Sequence, residues 1–242
     1  MSDSPPPVLD LQSIEKAFHG RPVLRGLTLT VGAGELVGLI GPNGAGKSTA
    51  LKILTGELIA DAGTARIAGH GLVDAPTEAR RALGFVPQDG GLEPFLTGEE
   101  VLRLVAELRA VAAEPVVPSL LSRFGLTEAK NRLVREYSEG MTKRLAIAAA
   151  LIGEPAALVL DESLNGLDPR GARLVREVLT ERRSQGAAIL ITGHVLETLE
   201  RLCTRVVLLH AGRVAVDLGR PQMDALAARG ESLEDVFLRA TE

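Results

Sequence analysis

The chain has 242 residues, 45% of them hydrophobic and 24% charged, which is ample apolar material for a packed core and argues against a disordered polymer. Its 27 basic and 31 acidic residues leave a net charge of -4, excluding an overall basic field of the kind that gathers nucleic acid. The single cysteine, Cys203, can form neither an internal disulfide nor a zinc site, so it reads as a small buried apolar residue in a reducing compartment.

Residues 1–7 place an acid and prolines where a secretory leader needs a basic start and an apolar run, and are expected to be a loose tail. Residues 8–14 and 27–31 alternate, with Leu27, Leu29 and Val31 on one face, and predict a half-buried antiparallel pair. Between them lies Phe18, in a chain with only 2% aromatic residues. Its ring either stacks on a nucleotide base, an interaction worth about 1–3 kcal/mol, or fills the core between the strands.

Residues 35–40 read as a short buried strand, and Gly41-Pro42-Asn43-Gly44-Ala45-Gly46-Lys47-Ser48-Thr49 follows it, matching the phosphate-binding pattern G-x-x-x-x-G-K-[ST]. The glycines let the backbone curl so that successive amides, with the positive end of the following helix, point at a triphosphate. Lys47 reaches the terminal phosphates, and the Ser48 hydroxyl suits Mg²⁺, a small hard cation that takes oxygen ligands. A short strand is expected at 64–68, and a turn with a solvated histidine at Gly69-His70-Gly71. A strand at 84–86 ends at Pro87 and leaves Gln88 at its tip, where the amide can touch a metal, an attacking water or solvent.

Residues from about 89 to 137 look helical. Thr97 and Glu100 form a capping box, Val101, Leu104, Val105 and Leu108 recur at helical spacing, and two short helices are expected at 119–124 and 128–134, after Pro115 and Pro118. The longest apolar run, 145–152, falls short of the ~20 residues that a membrane-spanning helix needs. The buried strand 157–160 ends in Asp161-Glu162, two acids at the edge where ligand-binding groups gather. Asp161 is placed to hold Mg²⁺ through water, and Glu162 to polarise a water aimed at the γ-phosphate. Asp168-Pro169 opens a helix as N-cap and first residue. A second buried strand, 187–192, delivers His194 to the same edge, where an imidazole can bond the γ-phosphate or the water. A hairpin over 206–217 and two helical stretches, 223–228 and 233–238, complete the chain.

In this order the motifs resemble those of the ATPase subunits of ATP-binding cassette transporters, over residues 8–238. Residues 41–49 are similar to the Walker A loop, Gln88 to the Q-loop, 158–161 to Walker B with Glu162 as catalytic glutamate, 165–168 to the D-loop, His194 to the switch histidine and Phe18 to the adenine-stacking aromatic. The family's signature, Leu-Ser-Gly-Gly-Gln, aligns with Tyr137-Ser138-Glu139-Gly140-Met141, which departs at three positions but keeps a hydroxyl at Ser138 and close backbone approach at Gly140. Ser163-Leu164 departs where the family usually has proline and a small hydroxyl residue.

The resemblance implies an α/β fold: a phosphate-loop NTPase core with a parallel sheet, an N-terminal antiparallel β subdomain and an inserted α-helical subdomain at about 89–150, all within one cassette domain over 8–242. It implies ATP and Mg²⁺ as cofactors, with Ser48, Gln88 and Asp161 at the metal. It also implies catalytic roles for Glu162, His194, Gln88 and Lys47, and nucleotide binding by Phe18, Gly41, Asn43, Gly44, Gly46, Lys47, Ser48, Thr49, Ser138 and Gly140.

The partners implied are a membrane-spanning permease and a second cassette, in a head-to-tail homodimer or a heterodimer, with no nucleic acid, at the cytoplasmic face of the membrane. The Ser-x-Gly-Met variant and the ending Leu233-Glu234-Asp235-Val236-Phe237-Leu238 look like those of two-component exporters. Alternatives are an importer subunit or a cassette ATPase acting on ribosomes or DNA, although translation-type relatives usually carry two cassettes and the repair type a long coiled coil. A phosphate-loop kinase or GTPase accounts for residues 41–49 alone.

Overall fold

The computed structural model describes residues 5–193 and 195–241. Strands β1 (Leu9–Phe18) and β2 (Arg21–Val31) pair antiparallel, with Leu9 opposite Val31 and Leu11 opposite Leu29. Leu27, Leu29 and Val31 are buried, as their alternation predicts, but both strands run longer than expected and Phe18 ends β1 instead of lying between them. After β3 (Leu36–Ile40) and helix α1 (Lys47–Leu54), β4 (Ala62–Ile67) joins the far side of β1. Strand β5 (His70–Gly71) then turns back on β4 with His70 opposite Ile67, so the turn sits at Ala68-Gly69 and His70 belongs to a strand.

Helix α2 (Pro76–Arg81) leads to β6 (Leu83–Val86), which is followed by α3 (Gly98–Leu108), α4 (Ala113–Arg123) and α5 (Glu139–Leu151). The chain continues through β7 (Ala157–Leu160), α6 (Pro169–Ser184), β8 (Ala188–Thr192), α7 (Leu196–Leu202), β9 (Arg205–His210), β10 (Arg213–Gly219), α8 (Arg220–Ala228) and α9 (Leu233–Thr241).

The main sheet has the order β10-β9-β3-β8-β7-β6, parallel except for the edge strand β10. Its central strands are apolar everywhere but at their ends, where Thr192, Arg205 and His210 stand, because both faces are covered. In β7, Ala157 and Val159 pack with α1 and the N-terminal sheet, while Leu158 and Leu160 pack with α3, α5 and α6; β3, β8 and β9 divide their residues in the same alternating way. With no room for polar side chains along the strands, such groups emerge at the strand ends.

The helical segment keeps its capping box: the Thr97 hydroxyl accepts from the Glu100 N–H, and the Glu100 carboxylate accepts from the Thr97 N–H at 2.8 Å. Its apolar face lies one step round from the expected one. Val101, Leu102 and Ala106 are buried, whereas Leu104 and Leu108 are 44% and 74% exposed. Pro115 and Pro118 do not hold the helix off until residue 119. Glu114 is extended, so both prolines fall in the first turn of the regular helix, where at most its first internal bond is lost. The helix expected at 128–134 is replaced by short 3-10 turns, Thr127–Ala129 and Val134–Glu136.

Gly212, in the β9–β10 turn, fastens three parts of the molecule. Its N–H donates to the Ala45 carbonyl at 3.1 Å, and its own carbonyl accepts from the Arg25 N–H at 3.0 Å. A Cβ there would stand 2.3 Å from the Val23 carbonyl oxygen, at a φ of +78°, so only glycine fits.

Replacing Leu102 by alanine is expected to cost about 2–5 kcal/mol, while Leu108→Gln stays within about 0.5 kcal/mol; urea unfolding of both variants checks the reassigned face. Cys203 is buried and its thiol is pushed up to about 12, chiefly by desolvation. Native protein should therefore resist alkylation at pH 8 and take up one label after denaturation, as read by intact mass.

Candidate active site

Four parallel strands bring the predicted residues to one edge of the sheet. β3 ends at the loop of residues 41–46, β6 runs out toward Gln88, β7 delivers Asp161 and Glu162, and β8 ends at Thr192. Gly41 has a φ of +154° and passes so close to β9 that a Cβ would lie 2.3 Å from the Leu209 carbonyl oxygen. Gly46, with φ +108°, caps α1 in a left-handed conformation and supplies no side-chain bond, so the first amides of α1 have no side-chain cap at the point where an anion is favoured.

Lys47 folds back over this loop, its Nζ donating to the carbonyls of Gly41 at 2.6 Å and Pro42 at 3.2 Å. Burial lowers its pKa below the usual lysine value, against the opposing pull of the Glu162 and Asp161 carboxylates. Asn43, Gly44 and Ser48 are exposed, and Thr49 is half-buried. Ser48, Gln88 and Asp161 line one cleft with Lys52, Glu57 and Asp89. Among the described residues no three His, Cys, Asp or Glu side chains cluster as a metal cage. A hydroxyl, an amide oxygen and a carboxylate around one cleft instead suit Mg²⁺, which keeps several waters and shares its shell with phosphate oxygens.

The two acids are held differently. Asp161 accepts a bond from the hydroxyl of Thr192, and the same hydroxyl oxygen accepts from the Glu162 N–H at 3.0 Å. Thr192, only 2% exposed, is thus a buried polar residue that orders both acids. Glu162 has a φ of +47°, a left-handed conformation that is strained for a non-glycine residue and is held by its surroundings. Its carboxylate accepts from the Asn165 amide at 3.3 Å and more weakly from the Gln88 amide at 3.5 Å. Ser163, fully buried, donates to the carbonyls of Asp161 and Val86, which accounts for a hydroxyl at that position. Asp168 caps α6 by accepting from the Gly171 N–H at 2.7 Å.

Phe18 is 42% exposed, which excludes the core-filling alternative; the Lys16 ammonium lies 5.7 Å from its ring centroid. Ser138 caps α5, its hydroxyl accepting from the Met141 N–H at 3.3 Å. Ser138 and Gly140 do not line the cleft that holds Ser48, Gln88 and Asp161. Gly140 stands instead beside the chain after Glu162, where a Cβ on it would lie 3.5 Å from the Gly166 carbonyl oxygen. His194, expected to complete the site, lies outside the described residues.

Two residues were not singled out from sequence. Thr192 looks like any strand-end threonine, and Lys143 like a solvated charge on a helix. No helix among the described residues is long and apolar enough to cross a membrane.

The family model described as ABC transporter matches residues 24–165. The Nod factor export ATP-binding protein I of Burkholderia lata is 41% identical over 208 residues, covering 85% of this chain and 68% of that protein. A solved ATP-binding subunit of an ABC transporter superposes with a TM-score of 0.91 at 33% identity, over 97% of this chain and 100% of that one. A dimeric post-hydrolysis cassette bound to ADP and phosphate shares the fold, with a TM-score of 0.79 at 24% identity over 88% and 98% of the two chains. The solved cbiO1 of Clostridium perfringens, described as part of an ABC transporter complex, superposes with a TM-score of 0.79 at 26% identity over 96% and 95% of the two chains. By motif, fold and relatives alike, the chain belongs to the ABC transporter family, as the ATP-binding, ATP-hydrolysing subunit of an exporter.

Proposed function

We propose that two copies of this chain close head to tail around two ATP molecules, and that closure drives a separate membrane-spanning permease. Each ATP lies between residues 41–49 of one copy and Ser138 and Gly140 of the other. The observation that carries this reading is the separation within one chain: Gly140 stands against Gly166, and neither it nor Ser138 lines the cleft of Ser48, Gln88 and Asp161. A phosphate held by the loop therefore obtains its second set of donors from a partner.

In this arrangement Phe18 stacks on the base, the loop amides with Asn43, Gly44, Gly46 and Thr49 cradle the phosphates, and Lys47 exchanges its loop carbonyls for β- and γ-phosphate oxygens. Ser48, Gln88 and Asp161 hold Mg²⁺, which neutralises phosphate charge when bound. Glu162 orients a water and takes its proton as the water oxygen bonds to the γ-phosphorus and the bond to the bridging oxygen of ADP breaks. His194 is assigned the hydrogen bond to the γ-phosphate or to that water. Loss of the γ-phosphate removes much of the attraction across the interface and lets the copies part. Residues 8–242 act as one cassette, with the helical part at about 89–150 and the Gln88 region facing the permease at the cytoplasmic surface.

Glu162→Gln should trap the closed form, giving a dimer by native mass with Mg-ATP and monomers with Mg-ADP or no nucleotide. A monomer in saturating Mg-ATP would overturn the composite site. Thr192→Val, which takes the hydroxyl from both acids, is expected to lower kcat by about 10–100-fold with ATP affinity little changed. An undiminished kcat would mean that the carboxylates need no such support.

A further inference from the structure

The signature turn and the loop after the catalytic glutamate are joined inside one chain by a buried lysine. Lys143 lies one turn along α5 from Glu139, and its side chain is only 7% exposed. Its Nζ donates to the Glu139 carboxylate at 2.7 Å and to the backbone carbonyl of Asn165. Asn165 in turn donates its N–H to the Glu162 carbonyl at 3.2 Å and its side-chain amide to the Glu162 carboxylate at 3.3 Å. Gly166, with φ +73°, passes so near Glu139 that a Cβ would stand 2.4 Å from the carboxylate oxygen.

Burying an ammonium group is costly unless it is paired and hydrogen-bonded. Its acidic partner, Glu139, is 69% exposed, and an ion pair with one end in solvent contributes little stability. An apolar side chain would fill the same space at lower cost, so the arrangement is better explained by what the lysine holds in register.

We propose that Lys143 is a positioning residue that locks residues 138–140 to residues 165–166, so that the state of Glu162 at one ATP site is transmitted to the Ser138 and Gly140 that serve the other. The inference rests on the head-to-tail closure proposed above. In that dimer each chain lends Glu162 to one site and Ser138 to the other, and the run Glu162, Asn165, Lys143, Glu139, Ser138 is the covalent and hydrogen-bonded path between them. Without the ammonium, backbone packing of Gly140 on Gly166 alone would keep the two segments in register.

The test uses the full chain. In the Glu162→Gln background, the dimer dissociation constant is measured by sedimentation in Mg-ATP, and monomer affinity by a fluorescent ATP analogue; in the hydrolysing protein, rate is followed against ATP. Lys143→Met is expected to weaken the dimer by about 10-fold or more and to turn the sigmoidal ATP dependence of two linked sites hyperbolic. Monomer affinity should stay unchanged, because residues 41–49 are untouched. Lys143→Arg should restore both dimer and sigmoid. Glu139→Gln, on the surface and so without consequence for folding, should shift both readouts the same way but less, and it decides the matter if Lys143→Met does not fold.

Variants that dimerise as tightly as their parent and keep its sigmoid would overturn the role of Lys143 alone, as would an arginine variant that fails alongside methionine. A Glu162→Gln parent that stays monomeric in ATP would remove the closure itself, and this proposal with it.

Discussion

Burial of both faces of the five parallel strands is the constraint on which the rest of the molecule depends. A strand covered on two sides is apolar between its ends, and alternation sends its neighbouring residues into separate cores, as Leu158 and Val159 do. Polar chemistry is then confined to where the strands stop. The parallel strands β3, β6, β7 and β8 all stop at the same edge, which gathers the phosphate loop, Gln88, the two acids and Thr192 without any one segment carrying the whole site.

The charges at that edge are arranged for an anion that brings several negative charges of its own. Lys47 is tied to two carbonyls of its loop and partly desolvated, a cost that the carboxylates opposite it offset only in part. In the proposed site a triphosphate would replace weak carbonyl partners with strong ones, so its binding would draw on interactions the chain has already oriented. The strained backbone at Glu162 belongs to the same economy of placement: two amides and a threonine hydroxyl hold the residue in a conformation it would not adopt alone.

Much of this was legible in the sequence because the physics is local. A glycine-rich loop between an apolar strand and a helix, a capping box at Thr97 and Glu100, and an Asp168-Pro169 helix start all declare themselves within a few residues. What stayed hidden depends on distant partners. Thr192 matters because β8 lies beside β7, and Lys143 because α5 begins against the chain after Glu162. The face of α3 was misjudged by one step because Leu104 and Leu108 satisfy a helical period while the helices it meets select Leu102 and Ala106. The prolines of α4 read as breakers until Glu114 placed them in a first turn. The polar stretch near 128–134 has too few apolar residues in register for a helix and settles into single turns.

The knot at Gly212 gives the nucleotide a ruler. One amide of that turn holds Ala45 in the phosphate loop and one carbonyl holds Arg25 in β2, whose partner strand ends at Phe18. Phe18 and the loop at Ala45 are thereby mounted on a common beam, and the span between them is set by the protein before any ligand arrives. With the base on Phe18 and the phosphates at residues 41–49, as proposed above, a nucleotide would be measured against it end to end.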